Sequence, residues 1–202
     1  MKFYDITIAI SSHTPEWPGD NKYKREERRT SAIVSKLTLS SHFGTHIDAP
    51  KHFLFKKNSV DKIALGKLIG SYKVFTMSSK GIISRRDILG LPIQAGDKIL
   101  FKTSNSAIVT KKKFNDHYVS LGLDAAKFLA KKKVALVGID YFGIEAKSSP
   151  GHLVHKELLK KNIVIVEGLN LAKITSGIYQ GAILPMKIEN GDGAPARAVL
   201  WK

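Results

Sequence analysis

The chain has 202 residues, 43% apolar and 25% charged. This composition excludes an intrinsically disordered protein and suits one well-filled domain, residues 1–202. Because there is no cysteine, disulfides, thiolate metal sites and a cysteine nucleophile are excluded, and any metal would be held by imidazole and carboxylate. The net charge of +16 comes from lysines and arginines in short, dispersed groups. This pattern favours a solvated basic surface, which could attract anionic substrates, over a nucleic-acid-binding face.

The apolar stretch near the N-terminus is too short and interrupted for the core of a signal peptide. No segment approaches the roughly 18 apolar residues of a membrane-spanning helix. We therefore expect a cytoplasmic protein without a membrane partner. The phosphate-binding patterns GxxxxGK[ST] and GxGxxG do not occur, and Asn190–Gly193 is typical of a turn, which weakens a nucleotide-binding interpretation.

Runs rich in β-branched and aromatic residues predict eight strands. In chain order they are Tyr4–Ile10, Ile33–Ser40, Lys73–Met77, Lys98–Thr103, Val134–Ile139, Ile163–Val166, Ala182–Ile188 and Ala196–Trp201.

Three helices are predicted. A short one follows Ser84, a second spans Ala125–Lys132 with Asp124 as its N-cap, and Pro150 opens a third that runs to about Lys161. Strands and helices alternate clearly only in the second half of the chain, whereas the first third is strand-rich. We therefore expect an α/β fold, a single domain with a mixed, barrel-like β-sheet and flanking helices.

Three of the seven histidines lie in the thirteen residues SHFGTHIDAPKHF, from Ser41 to Phe53. In extended backbone, even-numbered side chains point to one face, so His42, His46 and Asp48 are predicted to converge from one strand edge. Two neutral imidazoles and a carboxylate form a reasonable divalent-metal site with open positions for water. The alternative, ordinary polar residues on a half-exposed strand, accounts less well for so many ligating groups in one stretch.

One strand seldom completes a metal site, so further ligands are expected from elsewhere. His155 in the third predicted helix and Glu167 at the end of the following strand can return to one point. His152, one turn before His155, is the rival ligand. His13 and His117 have no neighbouring ligand pattern and are interpreted as surface residues.

The run HFGTHIDAPKHF, His42–Phe53, matches every fixed position of the pattern HxGTHxDxPxHF and resembles the signature of the metal-dependent cyclase family, which includes bacterial kynurenine formamidases and isatin hydrolases. The resemblance implies a mixed α/β fold of the swivelling β/β/α type, assembled as a homodimer or homotetramer, with one or two zinc or manganese ions per subunit. Weaker resemblances follow in the family's order at Asp5–Thr7, Trp17–Asp20, Val137–Asp140, His155 with Glu167, and Asp192–Arg197.

The resemblance also implies roles by motif position. His42, His46 and Asp48 would bind one ion. Asp48 would bridge to a second ion, which His155 and Glu167 would also bind.

His52 would be the catalytic acid/base, since an unperturbed imidazole pKa of about 6.5 suits both proton transfers. The implied activity is hydrolysis of a non-peptide amide carbon–nitrogen bond, as in the conversion of N-formylkynurenine to kynurenine and formate. Candidates for the wall of a substrate pocket are the aromatic residues Trp17, Phe43, Phe53 and Phe142.

One segment departs from the family pattern. After Asp140, kynurenine formamidases tend to carry a Pro-Ser-Val-Asp-Pro-like run, and this chain has YFGIE, Tyr141–Glu145. The metal chemistry can therefore transfer while the substrate differs. Alternative functions are hydrolysis of a cyclic amide or lactone, as in isatin hydrolase, or non-catalytic binding of a metal or nucleic acid.

Overall fold

The computed structural model describes all 202 residues. The strands are β1 (Phe3–Asp5), β2 (Lys24–Arg29), β3 (Ile33–Thr38), β4 (His46–Asp48), β5 (Ile69–Thr76), β6 (Ile82–Ile83), β7 (Lys98–Lys102), β8 (Ser120–Leu121), β9 (Leu136–Ile139), β10 (Val164–Glu167), β11 (Gly177–Pro185) and β12 (Gly193–Trp201). The α-helices are α1 (Arg85–Ile88), α2 (Leu123–Lys132) and α3 (Leu153–Lys160). Short 3₁₀ turns lie at Pro50–His52, Val60–Lys62, Leu65–Lys67, Ser104–Ala107 and Pro150–His152. None of the helices is long and apolar enough to cross a membrane.

The main sheet closes on itself. Its strand order is β1-β12-β11-β5-β7-β9-β10-β4, and β4 also pairs with β12. Strands β5, β7, β9 and β10 are parallel neighbours, whereas the remaining pairs are antiparallel. The closure comes from β12, which pairs with β11 along Ala196–Trp201 and with β4 along Gly193–Pro195. The expected mixed, barrel-like sheet with flanking helices is confirmed.

Side chains alternate between two cores along the parallel strands. Leu100 and Val166 point into the barrel, and Phe101 and Ile165 point outward to the layer that α2 and α3 cover. This is the period-two pattern of a sheet buried on both faces. Gly138 is required inside the barrel, because a Cβ there would lie 2.6 Å from Leu100 Cδ2.

The helices begin at different residues from those predicted. Helix α2 starts at Leu123 with Gly122 at its N-cap, so the prediction that Asp124 is the N-cap is wrong. The Asp124 carboxylate lies in the first turn and accepts hydrogen bonds from the backbone N–H groups of Ala125 and Arg85. In this position it still interacts favourably with the helix dipole.

Pro150 opens a 3₁₀ turn rather than an α-helix. Gly151 and His152 both have positive φ, 72° and 51°, which breaks the regular helix. Helix α3 therefore starts at Leu153. The helix predicted after Ser84 is a single turn, closed by a capping box between Ser84 and Asp87.

Several strand boundaries also differ. The first strand ends at Asp5 rather than Ile10, and β11 begins five residues before the predicted Ala182. Strand β2 was not predicted, because its sequence KREERR has no apolar alternation. It forms an exposed antiparallel ribbon with β3, and backbone pairing rather than burial defines it.

Candidate metal centre

Strand β4 lies between β10 and β12 and brings chelating residues from three parts of the chain together. His46 is directly opposite Glu167 on β10, and Asp48 is opposite Ile165 on β10 and Gly193 on β12. The short strand therefore places two predicted ligands beside a third that is more than a hundred residues away in sequence.

His42 reaches the same point by a different route from the one predicted. Residues 41–44 form a turn rather than extended backbone, and Gly44 has φ +68°. The expectation that His42 shares a strand face with His46 is therefore wrong. The His42 ring fits because Gly193 has no side chain, since a Cβ there would lie 2.6 Å from His42 Cε1.

Asp48 is at the centre of the cluster. Its Oδ1 lies 2.8 Å from His42 Nδ1 and 3.5 Å from His46 Nε2, and its Oδ2 lies 3.6 Å from His155 Nε2. Glu167 faces two of the same rings, with Oε2 3.3 Å from His46 Nε2 and Oε1 3.2 Å from His155 Nε2. The structure thus brings together all five residues expected to be metal ligands.

The rings of His42, His46 and His155 each have a second oxygen neighbour, which lies beside the ring nitrogen that faces away from Asp48. A ring that donates from that outer nitrogen presents a lone pair at the inner one, as metal-ligating histidines do. The pairs are His46 Nδ1 with Gly44 O (3.0 Å), His42 Nε2 with Asp192 Oδ2 (2.9 Å) and His155 Nδ1 with Glu145 Oε1 (3.3 Å).

The cluster carries buried negative charge. Asp48, Glu145 and Glu167 are 1%, 3% and 4% exposed, and histidines are their only ion-pair partners. Burial opposes protonation of His42 and His155, but hydrogen bonds with carboxylates outweigh it and raise the pKa of each ring to about 10. The site therefore favours positive charge strongly.

A divalent cation fits the part of this arrangement formed by His46, His155, Asp48 and Glu167, whereas His42 Nδ1 is at hydrogen-bond distance, 2.8 Å, from Asp48 Oδ1. In a tetrahedral site with bonds of about 2.0–2.2 Å, ligand atoms are roughly 3.3–3.6 Å apart. The distances from the inner nitrogens of His46 and His155 to the Asp48 and Glu167 carboxylates are 3.2–3.6 Å. Asp48 Oδ2 is buried without a hydrogen-bond partner. Such an oxygen is costly to bury unless a cation or donor meets it.

His52 lies beside the cluster, with its ring centroid 3.9 Å from that of His42. Burial, together with the neighbouring His42 and His155, outweighs the attraction of Asp48 and lowers the pKa of His52, which favours the neutral ring. Its Nδ1 lies 3.6 Å from Asp192 Oδ2. This carboxylate favours a proton on Nδ1, which leaves Nε2 free to accept another.

A cavity of about 260 Å³ opens over the cluster. Three of the four aromatic candidates, Trp17, Phe53 and Phe142, line it, together with His152. Phe43 does not. It is 2% exposed and stacks on Tyr23, with ring centroids 5.5 Å apart.

The segment Tyr141–Glu145, which differs from the family pattern, shapes the cavity. Trp17 packs over Gly143, where a Cβ would lie 2.7 Å from the indole ring. Phe142 and Gly143 both line the cavity. Glu145, two residues further along the chain, lies beside His155 instead. This segment therefore affects the wall of the cavity and the surroundings of His155 together.

Sequence reasoning missed two residues of the site. Asp192 was assigned only to a turn and a weak motif match, and Glu145 only to the segment Tyr141–Glu145. Asp192 contacts His42, which is remote in sequence, whereas Glu145 contacts His152 and His155 across the turn that precedes α3. The available signal was the position of each carboxylate in or beside a segment that the motif comparison singles out.

The closed mixed sheet and the buried histidine–carboxylate cluster define an α/β protein with a centre suited to divalent metal. Comparison with known proteins agrees. Residues 4–146 match the family described as "Putative cyclase". Since the match covers more than half of the chain, the protein belongs to the cyclase family.

Individual relatives extend the similarity over the whole chain. The chain is 34% identical to a kynurenine formamidase of Salinibacter ruber, with 99% of this chain and 97% of that protein covered. The structure of a "predicted metal-dependent hydrolase" from Bacillus stearothermophilus is 35% identical and superposes with a TM-score of 0.89, covering 98% of this chain and 97% of the other. An isatin hydrolase from Ralstonia solanacearum, 22% identical with a TM-score of 0.83 and coverage of 98% and 91%, shares the fold.

Proposed function

We propose that the protein is a metal-dependent amidohydrolase that removes the formyl group of N-formylkynurenine, giving kynurenine and formate. The observation that carries the proposal is a group of three imidazoles and two carboxylates below an aromatic-walled cavity. We call this group the cage; its residues are His42, His46, Asp48, His155 and Glu167. The full-length similarity to relatives named kynurenine formamidase supports the choice of amide.

The two oxygens of Asp48 support a two-ion site. Oδ1 faces His42 and His46, and Oδ2 faces His155. His42 and His46 would hold one ion, His155 and Glu167 would hold a second, and Asp48 would contribute one oxygen to each. Imidazole and carboxylate ligands without thiolate suit zinc or manganese.

A divalent ion held here would supply Lewis-acid polarisation of the amide carbonyl and acidification of water. The chain's own contribution to proton transfer is His52. Its neutral ring can accept a proton at Nε2 as water attacks and pass it to the departing arylamine, while the Asp192 carboxylate lies 3.6 Å from its Nδ1. No serine or cysteine nucleophile is needed.

The aromatic lining of the cavity favours a small aromatic substrate. Trp17, Phe53 and Phe142 offer ring faces and edges close to the cage, and Phe53 lies 4.8 Å from the His155 ring, centroid to centroid. An aryl group packed on this wall would direct its N-acyl substituent towards Asp48. Aromatic pairs of this kind contribute roughly 0.5–1.5 kcal/mol beyond burial.

The test is turnover by purified protein that is stripped of metal and then reloaded with Zn²⁺ or Mn²⁺. We expect hydrolysis of N-formylkynurenine in the loaded protein and none in the stripped protein. An isatin-type lactam serves as the comparison substrate. Metal binding without hydrolysis of the formamide would refute the proposed reaction, and turnover of the lactam alone would assign the cyclic-amide activity instead.

Assembly as a homodimer or homotetramer and a cytoplasmic location stay predictions from the sequence. Size-exclusion chromatography with light scattering would test the first, and fractionation of the source cells the second.

A further inference from the structure

Glu145 is a buried carboxylate that the proposed reaction does not use directly. It is 3% exposed and lies at the end of the segment that departs from the family pattern. Its two oxygens have different surroundings. Oε2 accepts a hydrogen bond of 2.7 Å from the backbone N–H of Val154, in the first turn of α3. Oε1 is 3.3 Å from His155 Nδ1, within ion-pair distance, but neither of these two buried atoms forms a hydrogen bond of good geometry.

This placement ties helix α3 to the cage. His155 is the only ring of the cage that a helix carries, and its Nε2 faces Asp48 and Glu167. If Nδ1 carries the proton and donates it to Glu145, the Nε2 lone pair points into the cage. If Nδ1 is bare, a neutral ring carries its proton on Nε2 and cannot bind a cation there.

We propose that Glu145 is a positioning residue that fixes the tautomer and orientation of His155, and thereby sets the affinity of the ion bound by His155 and Glu167. This inference rests on the proposed metal-dependent function. Outer carboxylates of this kind alter metal affinity or activity by about 10–100-fold when they are replaced. Glu145 acts through His155, which is the only cage residue with which it forms an ion pair.

His152 extends the arrangement to the cavity wall. Its Nδ1 also lies 3.3 Å from Glu145 Oε1, and its ring stacks on Phe53 with centroids 4.6 Å apart. His152 is half exposed and has positive φ, an uncommon conformation for a residue other than glycine. The position of His152 therefore indicates a role in the wall rather than in the cage.

The substitution Glu145→Gln separates positioning from structural support. The amide oxygen can still accept the Val154 N–H, so the start of α3 is preserved. The amide NH₂ group then faces His155 Nδ1 and favours a bare nitrogen there, which moves the ring proton to Nε2. Glu157→Gln is the matched control, because Glu157 lies on the same helix and lines a surface groove away from the cage.

The experiment is a Zn²⁺ titration of chelator-stripped full-length protein against a chromophoric competitor. We expect two ions in the wild type, a 10–100-fold weaker affinity for one of them in Glu145→Gln, and unchanged affinities in Glu157→Gln. Wild-type affinities for both ions in Glu145→Gln would overturn the inference but leave the proposed function standing. A wild type that binds no zinc would refute the proposed function itself.

A second measurement does not depend on the folding of Glu145→Gln. In ¹⁵N-labelled, zinc-loaded wild type, the His155 ring should show a proton on Nδ1 that exchanges slowly with water, assigned by its loss in His155→Asn. A zinc-loaded wild type in which His155 Nδ1 carries no proton would also overturn the inference.

Discussion

Zinc should raise the melting temperature of the stripped protein by an amount that reports how many ions the cage holds. At a free concentration 100-fold above Kd, each ion adds about 2.7 kcal/mol to the free energy of unfolding. For a chain of about 200 residues, 1 kcal/mol shifts Tm by about 2–4 °C, so one ion gives about 5–11 °C and two give about 11–22 °C. Because the two oxygens of Asp48 face different histidines, we expect the larger shift.

Differential scanning calorimetry at buffered free Zn²⁺ measures this shift. Asp48→Ala should abolish it, since both proposed ions lose their shared ligand. His117→Ala is the control, because His117 is exposed and outside the cage, and it should keep the full shift. An unchanged Tm in zinc, or a full shift in Asp48→Ala, would refute the two-ion arrangement.

Three further outcomes are expected. His52→Ala should keep the zinc stoichiometry but lower kcat by about 10²–10⁴-fold, and an unchanged kcat would remove this ring from the mechanism. Asp192→Asn should weaken the ion beside His42 by about tenfold in the competitive titration, with the other ion as internal control, because it removes the charge behind His42 Nε2. Gly138→Ala should lower the free energy of unfolding in urea by about 1–3 kcal/mol, since its Cβ would overlap Leu100; full stability would contradict the packing of the barrel.

The parts of the fold that sequence predicted best are those with a strong local pattern. The apolar runs at β7, β9 and β10 predicted buried strands because both faces of these strands are covered. Strand β2 could not be predicted, because its six residues are all exposed and only their pairing with β3 defines them. Burial leaves a periodicity in the sequence, whereas pairing between exposed backbones does not.

The site shows the same division between what is local and what is not. His46 and Asp48 occupy one short strand, so strand periodicity accounts for their shared face. His42 reaches the cage only because the chain turns at Gly44 and because Gly193 leaves space for its ring. That space depends on pairing between β4 and β12, almost 150 residues apart in sequence, and no local pattern encodes it.

The carboxylates behind the rings follow from a further physical requirement. A histidine that binds a cation through one nitrogen needs an acceptor at the other, and that acceptor can come from any element close in space. For His46 it is the backbone oxygen of Gly44, but for His155 it is a carboxylate at the end of the segment that also shapes the cavity wall. A change in this segment can therefore alter the substrate pocket and the metal affinity together, so the sequence after Asp140 constrains both properties at once.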